Sequence, residues 1–184
     1  MAKVVVSQFI TVDGVVEDPG GSEGKDYGGW AFKYDRGPDG DKFKLDEVMG
    51  SESLLLGRTT YEGFAEAWPS REGDFADKFN GMKKYVVSSK LSDPDWNNTE
   101  VVTVGDVRRL RDEDGGDILV NGSVRLVNEL IDEGLVDELR LMVFPAVLGA
   151  GKRLFTEGVS ASLELVESKP AGETFILIYR PKAD

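Results

Sequence analysis

The chain has 184 residues, 40% of them hydrophobic, and a formal charge of −12 from 34 Asp and Glu against 22 Lys and Arg. It contains no His and no Cys, which excludes Ser-His-Asp and Cys-His triads, thiolate nucleophiles, disulfides, structural zinc and iron–sulfur ligation, so no metal centre is expected. Any chemistry must come from carboxylates, hydroxyls, Lys, Tyr, backbone dipoles or a borrowed cofactor.

Val4, Val5, Val6, Phe9 and Ile10 form a β-rich run closed by the turn pair Asp13-Gly14, which predicts a buried first strand. This segment lacks an A-x-A-like cleavage site, and no apolar stretch approaches the ~20 residues that span a bilayer. A cytoplasmic protein with no membrane partner is therefore expected. Basic residues are scattered and outnumbered, which argues against a nucleic-acid partner, because phosphate backbones are held by clustered Lys and Arg. From Glu17 to Asp41 the composition shifts to Gly, Asp, Pro and Lys, with Trp30, Phe32 and Tyr34 interleaved, which suggests a long excursion pinned by aromatics. Asp41 to Met49 then offers a helical face of Phe43, Leu45, Val48 and Met49 behind an acidic start. Asp35, Gly37, Asp39, Gly40 and Asp46 outline a calcium loop, but Gly37 supplies no ligand and the last position is Asp, so a solvated acidic loop is the better account.

Leu54-Leu55-Leu56 running into Gly57 and then Thr60-Tyr61-Glu62 predicts strand, tight turn and helix N-terminus. A short helix around Phe75 to Phe79, strands at Tyr85 to Ser88 and Glu100 to Val104, and a helical patch at Val107 to Arg111 follow. Asp117 to Val120 is another buried strand, and Asn121-Gly122-Ser123 turns into a helix with Val124, Leu126, Val127, Leu130 and Ile131 at helical spacing and Gly134 at its stop. Beyond Gly134 only strands are predicted, at Glu138 to Phe144, Ser162 to Ser168 and Thr174 to Arg180, the last after the turn Pro170-Ala171-Gly172. The pattern is α/β in one domain, 1–184, with a mostly parallel sheet capped by a C-terminal antiparallel hairpin.

Three of these strands end in Gly or hydroxyl residues: Gly57-Arg58-Thr59-Thr60, Ser88-Ser89-Lys90 and Asn121-Gly122-Ser123. Ligands of open α/β sheets bind outside the carboxyl ends of the strands, where helix N-termini offer free N–H groups. The combination describes a site for a phosphorylated ligand, with Arg58 and Lys90 as charge partners; ordinary caps and turns are the plainer alternative. LGAGKRLF fails as a phosphate loop, since Ala146 stands where the first Gly belongs and Arg153 follows Lys152.

Val12-Asp13-Gly14, LLLGRTTYE, VVSSKL, the LVNGS turn and above all LVDELRLMVFPAVLGAGKRLF resemble the dihydrofolate reductase-like superfamily. The similarity runs in order from Lys3 to Arg180 and is strongest to the reductase domain of bacterial riboflavin biosynthesis proteins and its stand-alone relatives. The resemblance implies a three-layer αβα sandwich with a mixed, mostly parallel sheet and NADPH across the strand ends. Gly57, Arg58, Thr59 and Thr60 would meet the cofactor's phosphates. Ser88, Ser89 and Lys90 would surround the 2′-phosphate. Gly122, Ser123, Val124 and Arg125 would place a helix N-terminus under the pyrophosphate, and Asp13 would lie near the nicotinamide. The family usually has two consecutive glycines where Gly122-Ser123 stands, so Ser123 is a departure that adds a side chain at a close approach.

On the substrate side the resemblance puts Asp41 where dihydrofolate reductases carry a proton-donating carboxylate, sixteen residues before Gly57. An Asp-rich helix start explains the same residue through the dipole. Trp30, Phe32 and Phe144 could wall a flat heterocycle or simply pack in the core, and the Gly20 to Lys25 loop or Lys33 could hold a ribosyl-phosphate. The expected activity is an NADPH-dependent reduction of a pterin-, pyrimidine- or imine/carbonyl-type small molecule, with a catalytically inactive NADP(H)-binding module as the alternative. A homodimer is implied by analogy, and in riboflavin synthesis the preceding deamination would reside on another chain.

Overall fold

A computed structural model describes residues 1–113 and 115–182. Eight strands form one sheet: β1 (Val4–Thr11), β2 (Ser51–Gly57), β3 (Lys83–Val87), β4 (Thr99–Val102), β5 (Asp117–Asn121), β6 (Glu138–Phe144), β7 (Leu163–Ala171) and β8 (Thr174–Pro181), in the order β4-β3-β2-β5-β1-β6-β8-β7. The first six are mutually parallel, and β8 runs antiparallel to both β6 and β7. Parallel neighbours need crossovers; helices supply them everywhere but between β3 and β4, which a loop joins: α1 (Gly37–Gly50), α2 (Arg58–Ala67), α3 (Asp74–Gly81), α4 (Val104–Asp112) and α5 (Val124–Asp132).

Successive side chains of a strand point to opposite faces, so the unbroken Leu54-Leu55-Leu56 run requires cover on both. On the front face Val48 of α1, Tyr61 of α2 and Phe79 of α3 pack with Val5, Leu54, Leu56 and Leu119. On the back Val107 and Leu110 of α4 and Leu126, Val127 and Leu130 of α5 meet Val4, Val6, Leu55, Ile118 and Val120. The result is the expected αβα sandwich with a C-terminal hairpin.

Element ends depart from expectation where local hydrogen bonding decides them. Helix α1 starts at Gly37 rather than Asp41, with Pro38 in its first turn and the Gly37 N–H donating to Asp35 Oδ1 at 2.7 Å. Strand β4 stops at Val102 because Thr103 caps α4: its hydroxyl accepts from Asp106 N, and the Asp106 carboxylate accepts from Thr103 N. Strand β7 runs on to Ala171, so the hairpin turn is Gly172-Glu173. Gly172 has φ 58°, and a Cβ there would lie 2.3 Å from the Asp35 carbonyl oxygen.

The excursion after Glu17 is a folded unit. Asp18, in the left-handed region at φ 51°, accepts the N–H groups of Glu23 and Lys25 on its carboxylate at 2.9 and 3.1 Å, and those of Gly21 and Gly29 on its carbonyl. The Trp30 indole N–H donates to the Glu17 carbonyl at 2.9 Å.

Lys84 at the start of β3 is fully buried, without a carboxylate partner among the described residues. Its ammonium donates to the carbonyls of Asn80, Met82 and Asn97 at 3.1, 2.8 and 3.0 Å and lies 4.3 Å from the Trp96 ring centroid. Burial lowers its pKa to about 8, so it is charged at neutral pH and staples α3, β3 and the approach to β4 together. Lys84→Met would strand three carbonyls and should lower unfolding free energy by about 2–4 kcal/mol in urea titrations. Half-buried Lys83→Met, losing a surface pair with Glu100 and a contact with the Tyr85 ring, should stay within about 1 kcal/mol.

Candidate functional site

Adjacent β2 and β5 send their following helices to opposite faces of the sheet, α2 to the front and α5 to the back. Such a divergence opens a crevice at the carboxyl rim. Its floor is a knot of short contacts. Gly57 N donates to Ser123 Oγ at 2.8 Å, Ser123 N donates to Thr60 Oγ1 at 3.0 Å, and Gln8 Nε2 of β1 donates to the Gly122 carbonyl at 2.6 Å. Gly122 and Ser123 are both left-handed, with φ 57° and 56°. A Cβ on Gly122 would sit 3.0 Å from Thr60 Cγ2. Neither α2 nor α5 has a side-chain cap at its N-terminus, so the first-turn amides of both helices flank the crevice without a side-chain acceptor.

Ser88, Ser89 and Lys90 continue from β3, one strand further along the same rim. The Ser88 hydroxyl accepts from the N–H groups of Lys90 and Leu91 at 3.1 and 3.0 Å, which turns the chain and leaves Ser89 and Lys90 exposed. Arg58 and Arg125 are engaged in pairs along their own helices, with Glu62 at 2.7 Å and Glu129 at 3.1 Å. The parallel register thus brings the three expected junctions to one rim.

At the β1 end of the rim, Asp13 accepts from Thr11 Oγ1 at 2.6 Å and from Gly149 N and Leu148 N at 2.8 and 3.2 Å. The Thr11 hydroxyl, then these backbone donors, hold its pKa down at about 2. The ionised carboxylate therefore ties the loop after β6 to the loop after β1. Glu17 is likewise held low, first by the Tyr27 hydroxyl at 2.6 Å and then by Lys152.

Several substrate-side expectations change. Trp30 is 1% exposed, in edge contact with Phe144 at 5.3 Å, whereas Phe32 is 77% exposed; one is core and the other surface, so they form no common wall. The Glu23 and Lys25 amides of the Gly20 to Lys25 loop are taken by Asp18, so they are not free for a phosphate. Asp41 lies in the second turn of α1, its side chain 64% exposed and paired with Arg36 at 2.7 Å. The side of α1 that meets the sheet instead carries Lys44 and Glu47, with Ser7 of β1 and Arg140 of β6 opposite. No sequence signal singled out these four.

An open αβα sheet with helices diverging from a crevice at the carboxyl rim defines an α/β protein of the doubly wound kind, in which ligands sit at such a crevice. The family model of the RibD C-terminal domain matches residues 2–177, and the chain belongs to that family. Among curated relatives it is similar to two uncharacterized proteins of Bacillus subtilis (strain 168). YwjB is 28% identical over 184 residues, covering 96% of this chain and 97% of the relative. YyaP is 27% identical over 165 residues, covering 84% and 81%. Among solved structures it resembles a Shewanella sp. PV-4 protein whose name assigns it to riboflavin biosynthesis, with TM-score 0.78, 19% identity and full coverage of both chains. Acinetobacter baumannii RibD superposes with TM-score 0.66 at 15% identity, over 99% of this chain and 58% of that longer one.

Ser123 makes the departure from paired glycines testable. Ser123→Gly relieves a left-handed residue, worth about 1 kcal/mol, but loses the bond from Gly57 N and a longer one to the Asn121 carbonyl at 3.2 Å, so its stability should stay within about 1 kcal/mol of wild type. Ser123→Ala keeps the strain and loses both bonds, and should fall about 1 kcal/mol further than Ser123→Gly in the same denaturation assay. For Asp13 the folded pKa lies below the ordinary 3.8, so its stabilisation is complete above that value and fades as pH falls toward 2. The melting-temperature gap between wild type and Asp13→Asn should be widest near neutrality and close progressively under acid.

Proposed function

We propose that the chain is an NADPH-dependent reductase of a small pterin-, pyrimidine- or imine/carbonyl-type molecule. The observation that carries this reading is the pair of helix N-termini, α2 and α5, uncapped by side chains and facing one crevice across the Gly57–Ser123–Thr60 knot. Such amides fit a pyrophosphate, because donors and dipole ends point at the same place. Gly57, Arg58, Thr59 and Thr60 would hold it from the front, and Gly122, Ser123, Val124 and Arg125 from the back. The Ser123 side chain turns toward Gly57 and so leaves the approach open. Ser88, Ser89 and Lys90 suit a 2′-phosphate; Lys90 has no side-chain partner among the described residues. Asp13 would fix the wall beside the nicotinamide.

NADPH, when bound, supplies the hydride. The protein's share is orientation, exclusion of water and delivery of a proton through Asp41 or a bound water. A cytoplasmic homodimer acting on a diffusible small molecule completes the reading. The exposure of Asp41 and its pair with Arg36 favour one alternative, a module of the same fold that binds NADP(H) without turning it over.

Calorimetry should register NADP+ binding together with thermal protection, and NADPH oxidation should then be followed with dihydrofolate and with a ribosylaminopyrimidine. Gly122→Ala, which forces a methyl against Thr60 at a left-handed residue, should weaken NADP+ by about tenfold or more. Absence of heat and protection with wild type removes the reductase reading; binding without oxidation of either substrate favours the inactive module.

A further inference from the structure

Beneath the front face, between α1 and the sheet, lies a chain of alternating charges. Lys44 donates to Ser7 Oγ at 2.6 Å and to Glu47 Oε2, and Ser7 Oγ donates to the same carboxylate oxygen at 2.9 Å. Glu47 Oε1 accepts no hydrogen bond, its nearest cation being the Arg140 guanidinium at 3.6 Å. Arg140 in turn donates to Glu138 at 2.7 Å, and Glu138 meets Arg180 at 3.5 Å. The Glu47 side chain is fully buried and that of Lys44 is 13% exposed.

An ammonium has three N–H donors, and Lys44 commits two of them to Ser7 and Glu47. Its Nζ also lies 5.2 Å from the ring centroid of Phe9, a ring that the Arg36 guanidinium approaches at 5.4 Å. The register makes Ser7 the neighbour of Asn121, the residue that begins the Gly122-Ser123 turn. This donor therefore stands one strand from the dinucleotide crevice, on the same face as α2. Burying a carboxylate and two cations is costly; the arrangement has a use if it holds one N–H in a fixed direction.

We propose that Lys44 is the substrate-recognition residue of this cleft, its third N–H donating to an acceptor atom, a ring carbonyl or imine nitrogen, of a planar substrate beside Phe9. Ser7, Glu47 and Arg140 are positioning residues that act through it. A cation selects an acceptor edge, as in a pyrimidinedione, over the donor edge of a diaminopyrimidine, which needs an accessible carboxylate that buried Glu47 does not provide. This rests on the dinucleotide lying along the rim.

The test is calorimetric titration of protein saturated with NADP+, using a ribosylaminouracil and a diaminopteridine as probes. Wild type should bind the uracil and not the pteridine. Lys44→Met should weaken uracil binding by about tenfold or more while NADP+ affinity stays within about twofold, and Lys44→Arg should restore part of it. Lys42→Met, on the exposed side of α1 and paired with Asp46, should behave as wild type. If Lys44→Met fails to fold because Glu47 loses its partner, the double variant Lys44→Met/Glu47→Gln carries the same expectation. Equal uracil binding by the Met variant, preference for the pteridine, or no ring binding by wild type that does take NADP+ overturns this inference and leaves the reductase reading standing. Wild type that takes no NADP+ overturns both, and does so before any ring is added.

Discussion

Six parallel strands side by side impose a polarity on everything else in the molecule. Each parallel step needs a crossover, and a helix that directly follows a strand starts at the carboxyl rim, so amide-rich helix starts collect at one end of the sheet whatever their separation in sequence. The order β3-β2-β5-β1 sets Ser88, Gly57, Gly122 and Asp13 along that rim in adjacent strands. Because the chain moves one way through β1, β2 and β3 and the other way from β5 to β6, α2 and α5 leave on opposite faces. The crevice between them is thus a consequence of topology, and local chemistry only has to keep it from collapsing.

That local chemistry is visible in how Ser123 is used. Two successive left-handed residues are what a pair of glycines would adopt freely; here the second carries a side chain. Its hydroxyl is turned onto the Gly57 N–H and its own N–H is taken by Thr60, so the three junction residues hold one another in place. Strain at one position is offset by the bonds it makes, a balance that persists where the surrounding structure over-determines the conformation. The amides left without side-chain acceptors are those further into the helices, which face the crevice rather than the floor.

The central strands were legible because burial on both faces leaves unbroken apolar runs such as Leu54-Leu55-Leu56, and β6 was legible through its alternation at Glu138 to Leu141 and the apolar run up to Phe144. The rim was legible because Gly and hydroxyl residues follow those runs directly. Helix starts were harder. Thr103-Val104-Gly105-Asp106 is a capping box read as the tail of a strand, since Val101 and Val102 pull the pattern toward β. Pro38 marked the first turn of α1, but the acidic residues around it resembled a loop. Trp30 offered no period at all; only its indole bond to Glu17 and its contact with Phe144 fix it in the core. The ionic chain was hidden for a different reason. Lys44 and Glu47 sit in a run of mixed charges typical of a solvated face, and what makes them interior is the β1–β6 register that sets Ser7 beside Arg140.

Two lysines, Lys84 fully buried and Lys44 partly so, separate structural from functional use of the same side chain. Lys84 spends all three donors on backbone carbonyls under Trp96, at the amino end of the sheet, and is closed to any ligand. Lys44 has the stronger electrostatic partner in Glu47 yet fewer internal acceptors, and it lies on the cleft side of α1 with part of its surface open. At Lys44 folding alone would be served as well by an apolar pair, since a buried ion pair contributes little net stability against a packed hydrocarbon. At Lys84 the carbonyls of two converging loops supply a reason for the charge. At Lys44 the third N–H meets only the Phe9 ring among the described residues, and an acceptor outside the chain is the partner whose chemistry would complete it.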